Sequence, residues 1–326
     1  MNRLPILIVC ICSVTSCVAG PVDLWNSVIF RDDFDYSVGG MPDPNDWVVN
    51  HPEAPDPGWW TQGRTHFPNP ALWNASGEFP RIEDGACIIE HHLYDPYASN
   101  HQWFLGGEVR TVMGFQPNRA YRFEARVRCY SDRCASAESP CVPYPDGLVT
   151  SFFLYGYDGA TSDELDFEFL SKLTNDPNYA AADPLLTDTW DESSQFAQCV
   201  APGPDGLDLS EWNTFRIYWY PDPPRVEWTW LDPVNGETTL RTELNASFIP
   251  DEPMSLYFNF WAPPAGDWQD PPCNPYDGDL QPVDDPSQNE SSGYEIDYVE
   301  VRVRAFKGTR SQPAGTSVSV DEEPLP

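Results

Sequence analysis

The chain has 326 residues, 40% of them hydrophobic, which is enough to bury the core of one large domain or two modest ones. Its formal net charge is −33, and Lys172 and Lys307 are its two lysines. A chain this acidic repels nucleic acids and anionic membranes, so neither is expected as a partner.

The first twenty residues are predicted to be an export signal. A short polar start precedes an apolar run over residues 4–11, and small residues follow over 13–20. The run is too short to span a bilayer, so we expect no membrane-spanning segment in the mature protein. Residues 14–17, VTSC, loosely resemble a lipobox, which leaves two outcomes open: cleavage near Ala19, or a lipid anchor on Cys17. Either predicts a secreted protein or one held at the extracellular surface.

Six cysteines remain after this signal: Cys87, Cys129, Cys134, Cys141, Cys199 and Cys273. An even number in an exported protein predicts disulfides, but the sequence does not choose among the pairings. A zinc site is the alternative, and it is disfavoured because no paired CxxC motifs are present.

The 35 prolines disfavour helix interiors and central strands, and no long amphipathic helix is predicted. Strands are predicted at 28–34, 81–91, 104–112, 121–129, 148–155, 164–170, 215–220, 226–231, 254–261 and 294–304. Many strands without intervening helices indicate an all-β, antiparallel sandwich.

Two aromatic-rich stretches, 50–77 and 261–292, fit no strand well and are expected to be functional or well-packed loops. Residues 308–326 are rich in Ser, Thr, Pro and Glu, and are predicted to be a disordered tail. With no internal repeat and no break in composition, residues 21–307 are expected to form one domain, and we expect a monomer.

The segment 163–170 has the clearest pattern in the chain. Leu165, Phe167 and Phe169 alternate with Glu164, Asp166 and Glu168, so a strand here places apolar side chains on one face and carboxylates on the other. Like charges repeated along one strand face repel one another, so this face is expected to be either solvated or catalytic.

A second strand, 254–261, also has two distinct faces. Leu256, Phe258 and Phe260 share one, while Tyr257, Asn259 and Trp261 share the other. A face that is both aromatic and polar suits a carbohydrate, because sugar rings stack on aromatic rings while hydroxyl groups need polar partners.

Two carboxyl groups that flank a glycosidic bond can hydrolyse it, one ionised and one protonated at the start. Glu164 and Glu168 are candidates for this pair, with Asp166 placed to hydrogen-bond either of them. Their Cα atoms would lie roughly 13 Å apart on a flat strand. A retaining mechanism needs carboxyl groups about 5–5.5 Å apart, so the strand is expected to curve.

The motif SDELDFEFL at 162–170 closely resembles the active-site strand of glycoside hydrolase family 16. The resemblance extends to GGEVRT at 106–111, DGLVTSFFLY at 146–155, WNTFRIYW at 212–219, FNFW at 258–261 and the strand at 294–302. It covers residues 28–305, and it implies a jelly roll with a concave substrate cleft. One departure is Ser171-Lys172, where family members commonly place Gly, and the subgroup is left unassigned.

By that resemblance Glu164 is the nucleophile, Asp166 the assisting carboxylate and Glu168 the general acid and base. Substrate-binding roles are implied for the cleft residues Glu108, Arg110, Tyr155, Tyr257, Asn259 and Trp261. Asp163 and the loop 155–162 are expected to help shape the leaving-group side. No cofactor is required, although some members hold a structural calcium ion, and Asp297 matches that place.

The resemblance implies an endo-acting, retaining enzyme whose partner is a polysaccharide. We prefer a neutral β-glucan with 1,3 or mixed linkages, and a galactan such as agarose or carrageenan is the alternative substrate. Two other functions stay open: a carbohydrate-binding, lectin-like protein, and a transglycosylase that uses the same residues.

Overall fold

The computed structural model describes residues 25, 27–36, 40–50, 59–68, 80–97, 103–131, 145–171, 185–191, 194–201, 203–263 and 280–304. The predicted export signal with Cys17, the predicted tail, and Trp73 and Trp268 of the aromatic stretches lie outside these residues.

One of two sheets has seven strands, all paired antiparallel. In order across the sheet they are β13 (Ser194–Ala201), β12 (Leu185–Asp191), β11 (Ser162–Leu170), β10 (Val149–Tyr157), β17 (Met254–Trp261), β8 (Gly107–Phe115) and β2 (Trp47–Val49).

The other sheet has eleven strands in the described residues. Its main path is β16 (Gly236–Glu243), β15 (Pro224–Asp232), β14 (Asn213–Pro221), β9 (Tyr121–Ser131), β18 (Ser291–Val303), β6 (Ala86–His92), β7 (Phe104–Leu105), β4 (Thr65–Pro68) and β3 (Trp59–Gln62). Beside this path, β1 (Ser27–Asp32) pairs with β18 and β5 (Arg81–Glu83) pairs with β6. Two one-turn 3-10 helices, Ala246–Phe248 and Pro286–Gln288, lie in connections.

The core lies between the sheets, and the apolar face of β11 is part of it. Leu165, Phe167 and Phe169 are fully buried, as their alternation predicts. Phe215 on β14 of the opposite sheet lies against both phenylalanines, with ring centroids 5.2 Å from Phe167 and 4.9 Å from Phe169. These contacts join the strand that bears the carboxylates to the second sheet, and the predicted antiparallel sandwich is confirmed.

The strand 254–261 is confirmed with the predicted bounds. The predicted strand 81–91 is instead the hairpin of β5 and β6, the predicted strand 104–112 is divided into β7 and β8, and the other predicted strands differ mainly at their ends. The prediction that 50–77 contains no strand was wrong, because β3 and β4 lie within it. β2, β12, β13 and β16 were also not predicted. Each is short or polar, and in β16 exposed and partly buried residues alternate without an apolar run to mark it.

Cys87 and Cys129 are both fully buried in the core. Cys87 is a free thiol, so the disulfide prediction is wrong for this cysteine. The side chains of the other four cysteines after the signal lie outside the described part of the chain, where disulfides stay a prediction.

No helix within the described ranges is both long and apolar enough to cross a membrane.

Candidate active site

The seven-stranded sheet carries a cleft of about 700 Å³ on the face opposite the core. Its lining includes every residue predicted from the sequence to act in catalysis or to bind substrate: Glu108, Arg110, Tyr155, Glu164, Asp166, Glu168, Tyr257, Asn259 and Trp261. These residues come from four neighbouring strands, β8, β17, β10 and β11, so pairing of the strands assembles the site.

The strand register places the cleft residues in rows across the sheet. Asp188, Asp166, Phe153, Tyr257 and Arg110 are successive partners on β12, β11, β10, β17 and β8. Because cross-strand partners share a face of the sheet, all five side chains belong to the cleft side.

The next row on one side contains Glu168, Ser151, Asn259 and Glu108, and the row on the other side begins with Trp190, Glu164 and Tyr155. The three carboxylates of β11 therefore occupy three adjacent rows of one cleft.

Glu164 and Asp166 form a hydrogen-bonded pair of carboxyl groups. Burial raises the pKa of Asp166 well above its usual value, and the charges of Glu164, Glu168 and Asp188 raise it further. Burial also raises the pKa of Glu164, although the hydrogen bond with Asp166 partly offsets this rise. With the pKa of Glu164 raised to about 8 and that of Asp166 well above its usual value, the pair holds at least one proton near neutral pH, and Asp166 is the donor in its hydrogen bond with Glu164.

Glu108 and Asn259 form a second polar pair at the adjacent strands β8 and β17. Asn259 Nδ2 donates to Glu108 Oε2 at 3.4 Å, and both side chains are buried. Burial raises the pKa of Glu108 to about 7, opposed by the Asn259 hydrogen bond and the charge of Arg110. Near neutral pH this carboxyl group can therefore either donate a hydrogen bond or accept one.

Two buried polar atoms of the predicted binding residues have no hydrogen-bond partner within the described residues. They are Asn259 Oδ1 and Arg110 Nε. Unpaired buried polar atoms are costly, and both residues line the cleft. A hydroxyl group of a bound ligand would satisfy Asn259 Oδ1.

We expect Asn259→Ala to lower kcat/KM about tenfold, because one hydrogen bond contributes about 1.5 kcal/mol when its loss leaves a partner unpaired. Steady-state kinetics on the cleaved polymer measures this effect, which should appear mainly in KM. Asn235→Ala is the matched control, since Asn235 is exposed on the turn between β15 and β16. Unchanged kinetics for Asn259→Ala would remove this residue from the binding site.

Aromatic rings form the middle of the cleft. Phe153 and Tyr257 are stacked with centroids 5.0 Å apart, and Tyr155 meets Tyr257 edge-on at 6.0 Å. Trp261 also lines the cleft but is only 1% exposed, since it packs with Phe67 in a small separate cluster. Of the predicted aromatic binding residues, Tyr155 and Tyr257 therefore offer more surface to a ligand than Trp261.

Asp163 shapes the cleft indirectly. Its buried carboxylate accepts the backbone N–H groups of Asp251 at 3.1 Å and Glu252 at 3.0 Å. These bonds attach the segment before β17 to the start of β11, and Pro253 of that segment lines the cleft. A Cβ at Gly156 would lie 2.3 Å from the Pro253 carbonyl oxygen, so only glycine permits this close packing.

The sequence interpretation missed β12, the strand next to the carboxylates. Its residues Asp188 and Trp190 are the cross-strand partners of Asp166 and Glu164. The alternation of Thr187 and Thr189 with Asp188 and Trp190 is a strand signal that was present in the sequence.

Asp297, the predicted calcium ligand, lies on β18 and is paired with Arg126. The Arg126 Nη1 atom donates to the Asp297 carboxylate at 2.7 Å. A cation at Asp297 would have to share this carboxylate with the guanidinium group, and calcium binding there stays a prediction. Within the described residues, the carboxylates close enough together to hold a metal ion are those of Asp163, Asp191 and Asp251, within 4.8 Å of one another.

Residues 142–276 match the family model described as Glycosyl hydrolases family 16. In sequence, the chain is 30% identical over 122 residues to xyloglucan endotransglucosylase/hydrolase protein 24 of Arabidopsis thaliana. That alignment covers 37% of this chain and only 41% of the plant protein.

Solved structures are similar over most of the chain. A prokaryotic β-1,3-1,4-glucanase (lichenase) derived from a mouse hindgut metagenome aligns with a TM-score of 0.56 and 19% identity, covering 83% of this chain and 97% of the lichenase. An endo-β-1,3-glucanase from Pyrococcus furiosus aligns with a TM-score of 0.55 and 16% identity, covering 85% of this chain and 94% of the glucanase. At these identities the alignments establish a shared fold.

Proposed function

Since this chain carries a glycoside hydrolase family 16 domain, we propose that it cleaves a β-linked polysaccharide internally, by hydrolysis with retention of configuration. The family match supports a glycosidase or glycosyl-transferring enzyme. The observation that carries the finer proposal is the arrangement of Glu164, Asp166 and Glu168, which lie side by side on one strand and line one cleft.

The three carboxylates divide the chemistry between them. Glu164 is the nucleophile: its carboxylate attacks the anomeric carbon, and the bond to the leaving sugar breaks. Glu168 donates a proton to the leaving oxygen, then removes a proton from the water that hydrolyses the glycosyl-enzyme. Asp166, held protonated by its surroundings, donates a hydrogen bond that favours the ionised form of Glu164, and it adds no second charge beside the nucleophile.

The charge of the cleft favours a neutral polymer. Its described lining contains the carboxyl groups of Glu108, Glu164, Asp166 and Glu168, and Arg110 is the one cationic side chain among these lining residues. Sulfate groups would be repelled there, so a sulfated galactan such as carrageenan is disfavoured. The stacked Phe153 and Tyr257 suit the C–H faces of glucosyl rings.

We therefore prefer a β-1,3 or mixed-linkage β-glucan. The names of the structural neighbours, a lichenase and an endo-β-1,3-glucanase, are consistent with this substrate class. Xyloglucan is the second candidate, because the plant relative is named for it.

Transglycosylation is the second candidate activity, and the name of the plant relative again favours it. It needs the same nucleophile and acid, and differs only in whether a sugar hydroxyl or water accepts the glycosyl group. A lectin-like function is disfavoured, because all three catalytic carboxylates are present and lie together in the cleft.

The test is to incubate the purified protein separately with laminarin, mixed-linkage β-glucan, xyloglucan, agarose and carrageenan and to measure new reducing ends. Glu164→Gln is the control, and an added labelled oligosaccharide detects transfer products. Proton NMR of the first product reports its anomeric configuration, and a β product is expected for retention. Binding to these polymers without cleavage of any would contradict the proposal and favour the lectin-like function.

A further inference from the structure

Asp188 is a buried carboxylate beside the catalytic strand that the mechanism above does not use. It is 5% exposed and is the direct cross-strand partner of Asp166, which is 6% exposed. Directly opposed residues of an antiparallel pair have Cβ atoms about 5 Å apart and point to the same side. Two buried carboxyl groups therefore face each other at the centre of the site.

Asp166 has carboxyl groups on three sides. Glu164 and Glu168 lie along its own strand, Asp188 lies across on β12, and on β10 the partner is the ring of Phe153. The cation in the same cross-strand row of the described residues is Arg110. It lies three strands from Asp166, which is about 14 Å at the usual strand spacing. Opposed like charges at this burial are unstable, so one of these carboxyl groups must carry a proton.

Asp188 has a backbone N–H donor and a guanidinium group beside it. Its Oδ1 atom accepts the backbone N–H of Thr189 at 2.8 Å, and a donated N–H stabilises a carboxylate. Arg241 on β16 of the other sheet donates through Nη1 to the Thr187 carbonyl oxygen at 2.6 Å and interacts electrostatically with Asp188. Arg241 is itself paired with Glu243, Nη2 to Oε2 at 3.1 Å.

Within the described residues, the charged groups that interact with Asp188 include Glu164 and Asp166 on β11 and Arg241, with its partner Glu243, on β16. On β13 the register partner is Ala197, which is not titratable.

We propose that Asp188 is a positioning residue that keeps one proton on the Glu164–Asp166 pair at neutral pH. This proposal rests on the proposed function, because it concerns the protonation state of the same carboxylates. Its negative charge opposes ionisation of Asp166, so Asp166 stays a hydrogen-bond donor to Glu164. Asp188 itself need not touch the substrate.

The sign of the effect follows from the charge. A negative neighbour raises the pKa of a carboxyl group, and the charge of Asp188 raises the pKa of both Glu164 and Asp166. Neutralising Asp188 therefore moves both ionisation steps of the pair to lower pH. The pH window in which the pair holds one proton should move by about one unit toward acid.

The closing experiment is a pH titration of ¹³C-labelled carboxyl groups by NMR in the full chain and in Asp188→Asn. The Glu164 and Asp166 signals are assigned from their loss in Glu164→Gln and Asp166→Asn. Both transitions are expected about one pH unit lower in Asp188→Asn than in the unmodified protein. Transitions that do not move would overturn the proposal.

Asp191→Asn is the matched control, because it removes a charge from the same strand three residues away, where the carboxylate lies near Asp163 and Asp251. It should leave the two transitions in place, and an equal shift there would also overturn the proposal. Asp188→Thr, which suits a strand, is a second neutral variant if Asp188→Asn does not fold.

The pH dependence of kcat/KM supplies an independent readout. For Asp188→Asn the whole profile should move toward acid by about one unit, whereas a purely structural residue would lower its height without moving it. If the unmodified protein cleaves no polymer, the proposed function fails, but the NMR titration still decides the role of Asp188.

Discussion

Replacing Glu164 by glutamine is expected to lower kcat by about four orders of magnitude or more, because an amide cannot form the glycosyl-enzyme. Replacing Glu168 by glutamine should lower kcat on a polysaccharide by about two to four orders, the usual contribution of a positioned acid or base. Each change is nearly isosteric, and both side chains are only half-buried, so the melting temperature should change little.

The two roles can be separated with an aryl glycoside whose leaving group needs no protonation. Glu168→Gln should still release the aryl group in a rapid first turnover, whereas Glu164→Gln should release none. Glu211→Gln, an exposed glutamate outside the cleft, is the matched control and should retain full activity. Full turnover of the polymer by either catalytic variant would contradict the assigned roles.

Replacing Phe167 by alanine is expected to lower the free energy of unfolding by about 3–5 kcal/mol, the usual cost of removing a buried phenylalanine ring. Phe167 is fully buried on the core face of β11, between the two neighbours Asp166 and Glu168. Its ring stacks on Phe152 with centroids 6.0 Å apart and contacts Phe215 of the other sheet at 5.2 Å. The cavity would remove packing directly behind the catalytic carboxylates.

Urea unfolding measures this cost, and Phe167→Leu is the matched comparison, since it keeps most of the apolar volume and should cost less than half as much. Activity measured well below the unfolding midpoint should also fall in Phe167→Ala, because the neighbouring carboxylates lose the support that fixes their positions. A loss of stability below about 1 kcal/mol would show that the ring does not anchor the strand as inferred.

Both predictions arise from the two faces of one strand. The core face fixes the position of β11 between the sheets, and the cleft face collects charges that would repel one another if all were ionised. The protonated Asp166 resolves this conflict, since it converts a repulsion into a hydrogen bond with Glu164. Stability and catalysis are therefore coupled through adjacent residues.

The sequence by itself determined the strand that bears the three carboxylates, because a period of two is a local property that needs no knowledge of the rest of the chain. The same local rule predicted the bounds of the strand 254–261 and separated its aromatic, polar face from its core face. Family resemblance in the flanking motifs then named Glu108, Arg110 and Tyr155, and the structure places all three in the cleft.

Only the tertiary structure decided which side chains meet across strands. Strand order and register are set by pairing between distant segments, so the opposition of Asp188 and Asp166 cannot be read from two strands whose pairing is unknown. The same holds for Asp163, whose carboxylate accepts the backbone N–H groups of Asp251 and Glu252, which are distant in sequence. It also holds for Trp261, which is buried by packing against Phe67. Burial is also a property of the assembled sandwich, and it is the largest cause of the raised pKa values of Glu164 and Asp166. The sequence thus specified the proposed catalytic groups, while packing of the two sheets raises the pKa values of Glu164 and Asp166.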